Sequence, residues 1–260
     1  MKYGILILFY CLASSAFGQV GSRISALGNS FTAVRDEWNG AHNPSAVSIS
    51  SIQIAINYQY DLENWGISTQ AALINVPFKE RNILSFSASK FGNAIYNNSN
   101  LNIAFARSFK NFNLGISVAQ SATIVPQHIH QRSYNFNFGS LFQLNNQWAF
   151  GISFNNFSIS NSSQVRQHPI RTHLGVTYQP TDKVLATTSF KIDKDLNKQF
   201  SGGIEYIVHP KIALRMGIIT FPFTHHYGLG LTHKNFRLNN SLRHHNQLGI
   251  QHQIEISYAF

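Results

Sequence analysis

From about residue 51 to the C-terminus, apolar and polar positions alternate with period two. Ile52, Ile54, Ile56, Tyr58 and Tyr60 alternate with Gln53, Ala55, Asn57 and Gln59. Trp148, Phe150, Ile152 and Phe154 alternate with Ala149, Gly151, Ser153 and Asn155, and Ile250, Ile254, Ile256, Tyr258 and Phe260 close the chain against Gln251, Gln253, Glu255 and Ser257. Side chains of an extended chain point to opposite faces in turn, so each such segment carries one apolar and one polar or small face. Fourteen segments of this kind fit between residues 51 and 260, about 15 residues for each strand with its connection, which suits tilted membrane-crossing strands of about 9–11 residues. Connections after even-numbered strands are mostly tight (Lys110-Asn111, Asn145-Asn146, His233-Lys234 among them). Several of the others, Gly92 to Ser99 and Ser158 to His168 among them, are longer. An even strand count with short turns at one end and longer loops at the other predicts an all-β fold, a transmembrane antiparallel β-barrel of about 14 strands. Parsing 224–245 differently gives twelve.

The composition of the two faces separates this barrel from other alternating folds. A soluble β-sandwich exposes Lys and Glu on its polar faces, whereas here those faces hold mainly Asn, Gln, Ser, Gly and Ala. A β-solenoid would show a fixed-period repeat, and there is none. A continuous outer belt of Ile, Leu and Phe would aggregate in water, so it is expected to meet lipid. Phe260, a terminal aromatic on the apolar face, resembles the assembly signal of bacterial outer-membrane barrels. No stretch approaches 18 consecutive apolar residues, which excludes membrane-spanning helices.

Residues 1–18 have the form of a secretory signal peptide: Lys2, an apolar run from Tyr3 to Ala13, and small residues Ala16 and Gly18 before Gln19. The single cysteine, Cys11, lies inside it behind Phe9 and Tyr10, a poor context for lipid attachment. One cysteine in 260 residues excludes a disulfide framework. Only 12% of residues are charged, yet the net charge is +10.

Charges on the predicted inner face are few, and the turns suggest how they pair. A turn centred near Pro210 places Glu205 opposite Arg215, and one centred near Asn246 would place Arg237 opposite Glu255, two lumen ion pairs. Arg132, Arg166, Arg171, Lys191, Lys194, Lys198 and Arg243 cluster at strand ends on the long-loop side. A ring of cations there suits phosphate groups of lipopolysaccharide and acidic lipid headgroups; spread round a rim, it does not suit nucleic acid. Seven histidines (His128, His130, His168, His225, His226, His244 and His245) fall in or beside predicted long-side loops. They lack accompanying carboxylates or cysteines at ligand spacing, so no metal site is expected. No Ser–His spacing singles out a catalytic pair, so an enzyme is not expected, nor is a cofactor.

Residues 19–50 break the alternation. Ser22 to Glu37 suggests a short, Gly-interrupted helix, followed by a turn at Asn43-Pro44, and the lumen of a fourteen-strand barrel is wide enough to need such a plug. Here the chain resembles a family. Ala26-Leu27-Gly28-Asn29-Ser30-Phe31-Thr32-Ala33-Val34, then Asp36, then Asn43-Pro44-Ser45-Ala46, is similar to the N-terminal signature of FadL/TodX and PorV/PorQ-type outer-membrane proteins, with Ser45 where the family usually has Ala. The resemblance implies a hatch inside a fourteen-strand barrel, with Phe31, Val34, Asp36, Trp38, Asn43 and Pro44 as hatch and lumen residues. It implies passage of a small hydrophobic compound across the outer membrane of a Gram-negative bacterium. The alternative it implies is an accessory subunit that docks proteins of a type IX secretion machine.

Overall fold

A computed structural model describes residues 20–47, 50–62, 66–126, 129–159, 169–193, 197–246 and 249–260. Fourteen antiparallel strands form a closed barrel in which every strand pairs with its sequence neighbours and β1 closes on β14. They are β1 (Gln53–Leu62), β2 (Ile67–Phe78), β3 (Asn82–Gly92), β4 (Asn97–Ser108), β5 (Phe112–Val125), β6 (Ile129–Gln143), β7 (Trp148–Ile159), β8 (Arg171–Thr181), β9 (Val184–Asp193), β10 (Lys198–His209), β11 (Ile212–Thr220), β12 (Phe223–His233), β13 (Phe236–His245) and β14 (Gly249–Ala259). The fourteen-strand parse therefore holds over the twelve-strand one. The proposed signal peptide lies outside the described residues.

The alternation maps directly onto the wall. Ile56 and Ile103 face outward and are 60% and 53% exposed, whereas their neighbours Asn57 and Asn102 are buried in the interior. Near the short-turn end the outer face carries close aromatic pairs: Trp148–Tyr178 at 4.3 Å and Phe109–Phe112 at 4.5 Å, both stacked, and Phe236–Tyr258, tilted, at 4.7 Å between ring centroids. Aromatic rings gathered at one level are the girdle expected where a barrel leaves the hydrocarbon.

Several details differ from the sequence-based expectation. The β3–β4 connection is short because Asn97 to Ser99 belong to β4, and β11 passes to β12 through Phe221 and Pro222 alone. His225, His226, His244 and His245 lie in β12 and β13 rather than in loops. His226 points inward and is fully buried, with its Nε2 3.0 Å from Thr224 Oγ1. Among the predicted rim cations, Arg171, Lys191 and Arg243 share the parity of buried His173, Ser189 and Ser241, so they turn into the mouth of the lumen, away from any headgroup. Arg132 and Lys198 keep outward parity, and Arg166 and Lys194 lie outside the described residues.

Candidate functional site: the hatch and its seat

The N-terminal segment folds into the lumen as two short helices and one 3₁₀ turn: α1 (Ser22–Ala26), α2 (Asn39–His42) and Pro44–Ala46. The helix expected through Glu37 stops at Ala26, because Gly28 and Asn29 take left-handed backbone conformations at φ 66° and 58°. Side-chain amides then replace helical bonds. Asn43 Nδ2 donates to the Thr32 carbonyl at 2.6 Å, and Asn39 Nδ2 donates to the Val34 carbonyl at 2.5 Å. Asn43 also caps the 3₁₀ turn, its Oδ1 accepting from Ser45 N at 3.3 Å and Ser45 Oγ at 2.7 Å. The serine that departs from the family's alanine is thus bonded within the turn. Pro44 sits at the first position of that turn, where its missing N–H costs nothing.

Glycines on the inner wall let the hatch backbone approach the strands. Gly115 faces Gly139, Gly151 faces Gly175 and Gly203 faces Gly217 across neighbouring strands. Gly115 abuts the backbone of Pro44 and Ser45, Gly139 abuts Asn43, and Gly151 and Gly175 enclose Thr32 and Ala33. A Cβ on Gly203 would lie 2.6 Å from Leu27 Cα, and one on Gly217 would lie 2.5 Å from Leu27 C. Those neighbours are main-chain atoms that no rotamer change can move aside. Asparagines complete the seat by donating to hatch carbonyls: Asn75 to Glu37 at 2.9 Å, Asn102 to Gly40 at 3.1 Å, Asn113 to Ser45 at 3.2 Å and Asn155 to His42 at 2.7 Å. Buried carbonyls must find donors, and the Asn-rich inner face supplies them. This seat was hidden in the sequence, where inner-face Gly and Asn look like ordinary lumen filler.

Arginines and carboxylates fasten the other half of the hatch. Glu205 accepts from Arg215 Nε at 2.5 Å, the pairing predicted from the Pro210 turn, and also binds Arg23 of α1 at 2.8 Å. Arg23 reaches Asp36 at 3.1 Å as well. Burial opposes the charge on Arg23, but Glu205 and Asp36 more than offset it, and its pKa stands above the ordinary value. The second predicted pair does not form. His245 faces Gly249, so the β13–β14 register sets Glu255 opposite Asn239 and Arg237 opposite Ser257, a slip of two residues from the expectation. Glu255 instead accepts from Ser22 N at 2.7 Å and Asn239 Nδ2 at 2.8 Å, and Arg237 binds Glu37 at 3.2 Å.

The remaining predicted hatch residues are packing and framework groups. Phe31 and Trp38 pack with Val20 and Ile24 against Ala55 and Leu73 of the wall. Phe31 also lies between the rings of His42 and His173, at 5.2 and 4.8 Å. Val34 is buried, and Asp36 Oδ1 accepts from Trp38 N at 3.0 Å. Burial holds the His42 imidazole below its ordinary pKa although the Val20 carbonyl and Asp36 favour the proton; the neutral ring donates from Nε2 to that carbonyl at 2.9 Å. No group of three metal-ligating side chains occurs among the described residues.

Two adjoining cavities open at the short-turn end beside the hatch, of about 620 and 240 Å³. Both are lined by Arg35, Gln143, Asn146, Gln147, Gln179 and Asp182; the smaller reaches down to Arg23 and Glu205. Amide and charged side chains predominate in the lining, with Phe109 at the edge of the larger cavity and Leu185 and Ile207 in the smaller.

No family model and no curated protein matches the chain. Solved structures do match it in fold. A mutant of the monoaromatic hydrocarbon channel TodX superposes with a TM-score of 0.73 at 10% identity, over 93% of this chain and 99% of that one. The Pseudomonas putida toluene transporter TodX gives 0.70 at 11%, over 93% and 98%. A Pseudomonas aeruginosa FadL homologue gives 0.64 at 11%, over 93% and 98%. The closed fourteen-strand barrel is thus of the kind seen in TodX and FadL-type outer-membrane proteins.

Proposed function

We propose that this chain is an outer-membrane barrel of a Gram-negative bacterium through which small hydrophobic compounds pass, with the hatch as a fixed partition that cargo must skirt. The fold likeness to a toluene transporter, extending over nearly the full length of both chains, carries this reading. Reconstituted into proteoliposomes, the protein is expected to admit labelled toluene or a fatty acid faster than empty vesicles do; equal rates would remove the passage reading.

Position in a bilayer has its own test. Arg in place of Ile103, mid-strand on the outer face, should cost about 2–4 kcal/mol of folding stability in lipid vesicles, whereas Arg in place of Phe112 at the short-turn end should cost about 0–1. Equal costs at the two depths would argue against a spanning barrel.

A second reading rests on the polar cavities and the tightly seated hatch. An accessory subunit of a secretion machine, of the PorV/PorQ type, needs no conducting path and would use its ends to dock proteins. Vesicles that exclude hydrocarbon, together with capture of secretion-system proteins from a native membrane, would favour it.

A further inference from the structure

We propose that the larger cavity at the short-turn end is a binding site for a carboxylate-bearing sugar, with Arg35 as its anchor. Arg35 belongs to the hatch, and its main chain is held in place: its carbonyl accepts from Arg23 Nη1 at 2.9 Å. Its own guanidinium forms no hydrogen bond or ion pair among the described residues and is exposed to the cavity. The nearest hatch acid, Asp36, is already taken by Arg23. Placed so, Arg35 presents a planar fork of donors matched to a carboxylate.

The surrounding chemistry extends beyond one anion. Asn111, Asn146 and Gln179 line the cavity with side-chain amides that have no protein partner among the described residues. Each amide both donates and accepts, as each sugar hydroxyl does, so the two match without leaving a group unpaired. The volume of about 620 Å³ lies within the range of small-molecule sites, about 300–1,000 Å³. Asp182, also in the lining, places one opposing charge there.

Titration calorimetry of the full-length protein in detergent with glucuronate tests the site, with glucose, acetate and an acidic tripeptide as comparison ligands. Glucuronate should bind more tightly than all three. Arg35→Gln should weaken it by about tenfold or more, the usual scale for a lost charge-assisted hydrogen bond, and Asp182→Asn should strengthen it. Gln179→Leu, which leaves every charge in place, should also weaken it. Retention of the heat-modifiable band on electrophoresis establishes that each variant is folded. Absence of glucuronate binding overturns the proposal, as does an unchanged affinity in both Arg35→Gln and Gln179→Leu. Acetate binding as tightly as glucuronate reduces the site to a bare ion contact, and a tighter acidic tripeptide replaces the sugar with a polypeptide; either result overturns it.

Discussion

Alanine at both Gly203 and Gly217 unseats the hatch while leaving the fourteen-strand wall closed. Each new methyl meets the main chain of Leu27 or Gly28, which has no rotamer to yield, so the pair should cost toward the upper part of about 1–3 kcal/mol per site. The penalty falls on the docked hatch rather than on strand pairing, because the clash is with the plug and both residues keep their ladder partners. Gly202 is the internal control. A methyl there meets Thr187 O at 3.4 Å, Thr188 Cγ2 at 3.8 Å and Phe200 Cε1 at 3.9 Å, ordinary contacts, and its effect should stay within about 0.5 kcal/mol. Limited proteolysis reads the difference. Residues 20–47 become cleavable in the double variant, with the heat-modifiable band retained, and stay protected in Gly202→Ala. A protected hatch in both would mean that the glycine pairs are not its seat.

The second large effect belongs to Glu205. Its carboxylate is buried between Arg215 of the wall and Arg23 of the hatch, so Glu205→Gln takes the paired carboxylate from the buried Arg215 and leaves Arg23 with Asp36 alone. Removing one partner of a buried pair typically costs about 3–5 kcal/mol. Arg237 offers the contrast: its side chain is 42% exposed where it meets Glu37, and Arg237→Ala should cost no more than about 1 kcal/mol. Urea unfolding in lipid vesicles compares them. Should the Arg237 change prove the more costly, the buried network would lose its place as the main electrostatic anchor of the hatch.

Much of the wall was legible because burial imposes alternation on every strand, and because a tight turn sets the register of the hairpin it joins. The Pro210 turn gave Glu205–Arg215 correctly. At the β13–β14 turn, a centre misplaced by one residue moved every partner by two, and Arg237 lost its supposed acid to Asn239. Parity alone could have turned Arg171, Lys191 and Arg243 inward, since each continues the register of the buried polar residues below it. The hatch was harder to read. Its motif located it, but Gly28 and Asn29 end α1 early, and the rest is shaped by bonds to the wall rather than by local propensity. The seat could not be read at all. Gly139 is an ordinary small inner-face residue until Asn43 is found against it, more than ninety positions away in the chain. Arg35 likewise stood in the sequence as a neighbour of Asp36, and only its freedom from any acid marks it out.

The amide of Ser22, near the start of the described chain, is held by Glu255, five residues from its end, and Arg23 is held by Glu205. The hatch therefore takes its partners from β10 and β14, far from it along the chain. β1 closes on β14 beside that same contact, so seam and plug share it. Assembly of this protein is accordingly a matter of long-range closure late in the process, with the high contact order and slow kinetics that such closure entails.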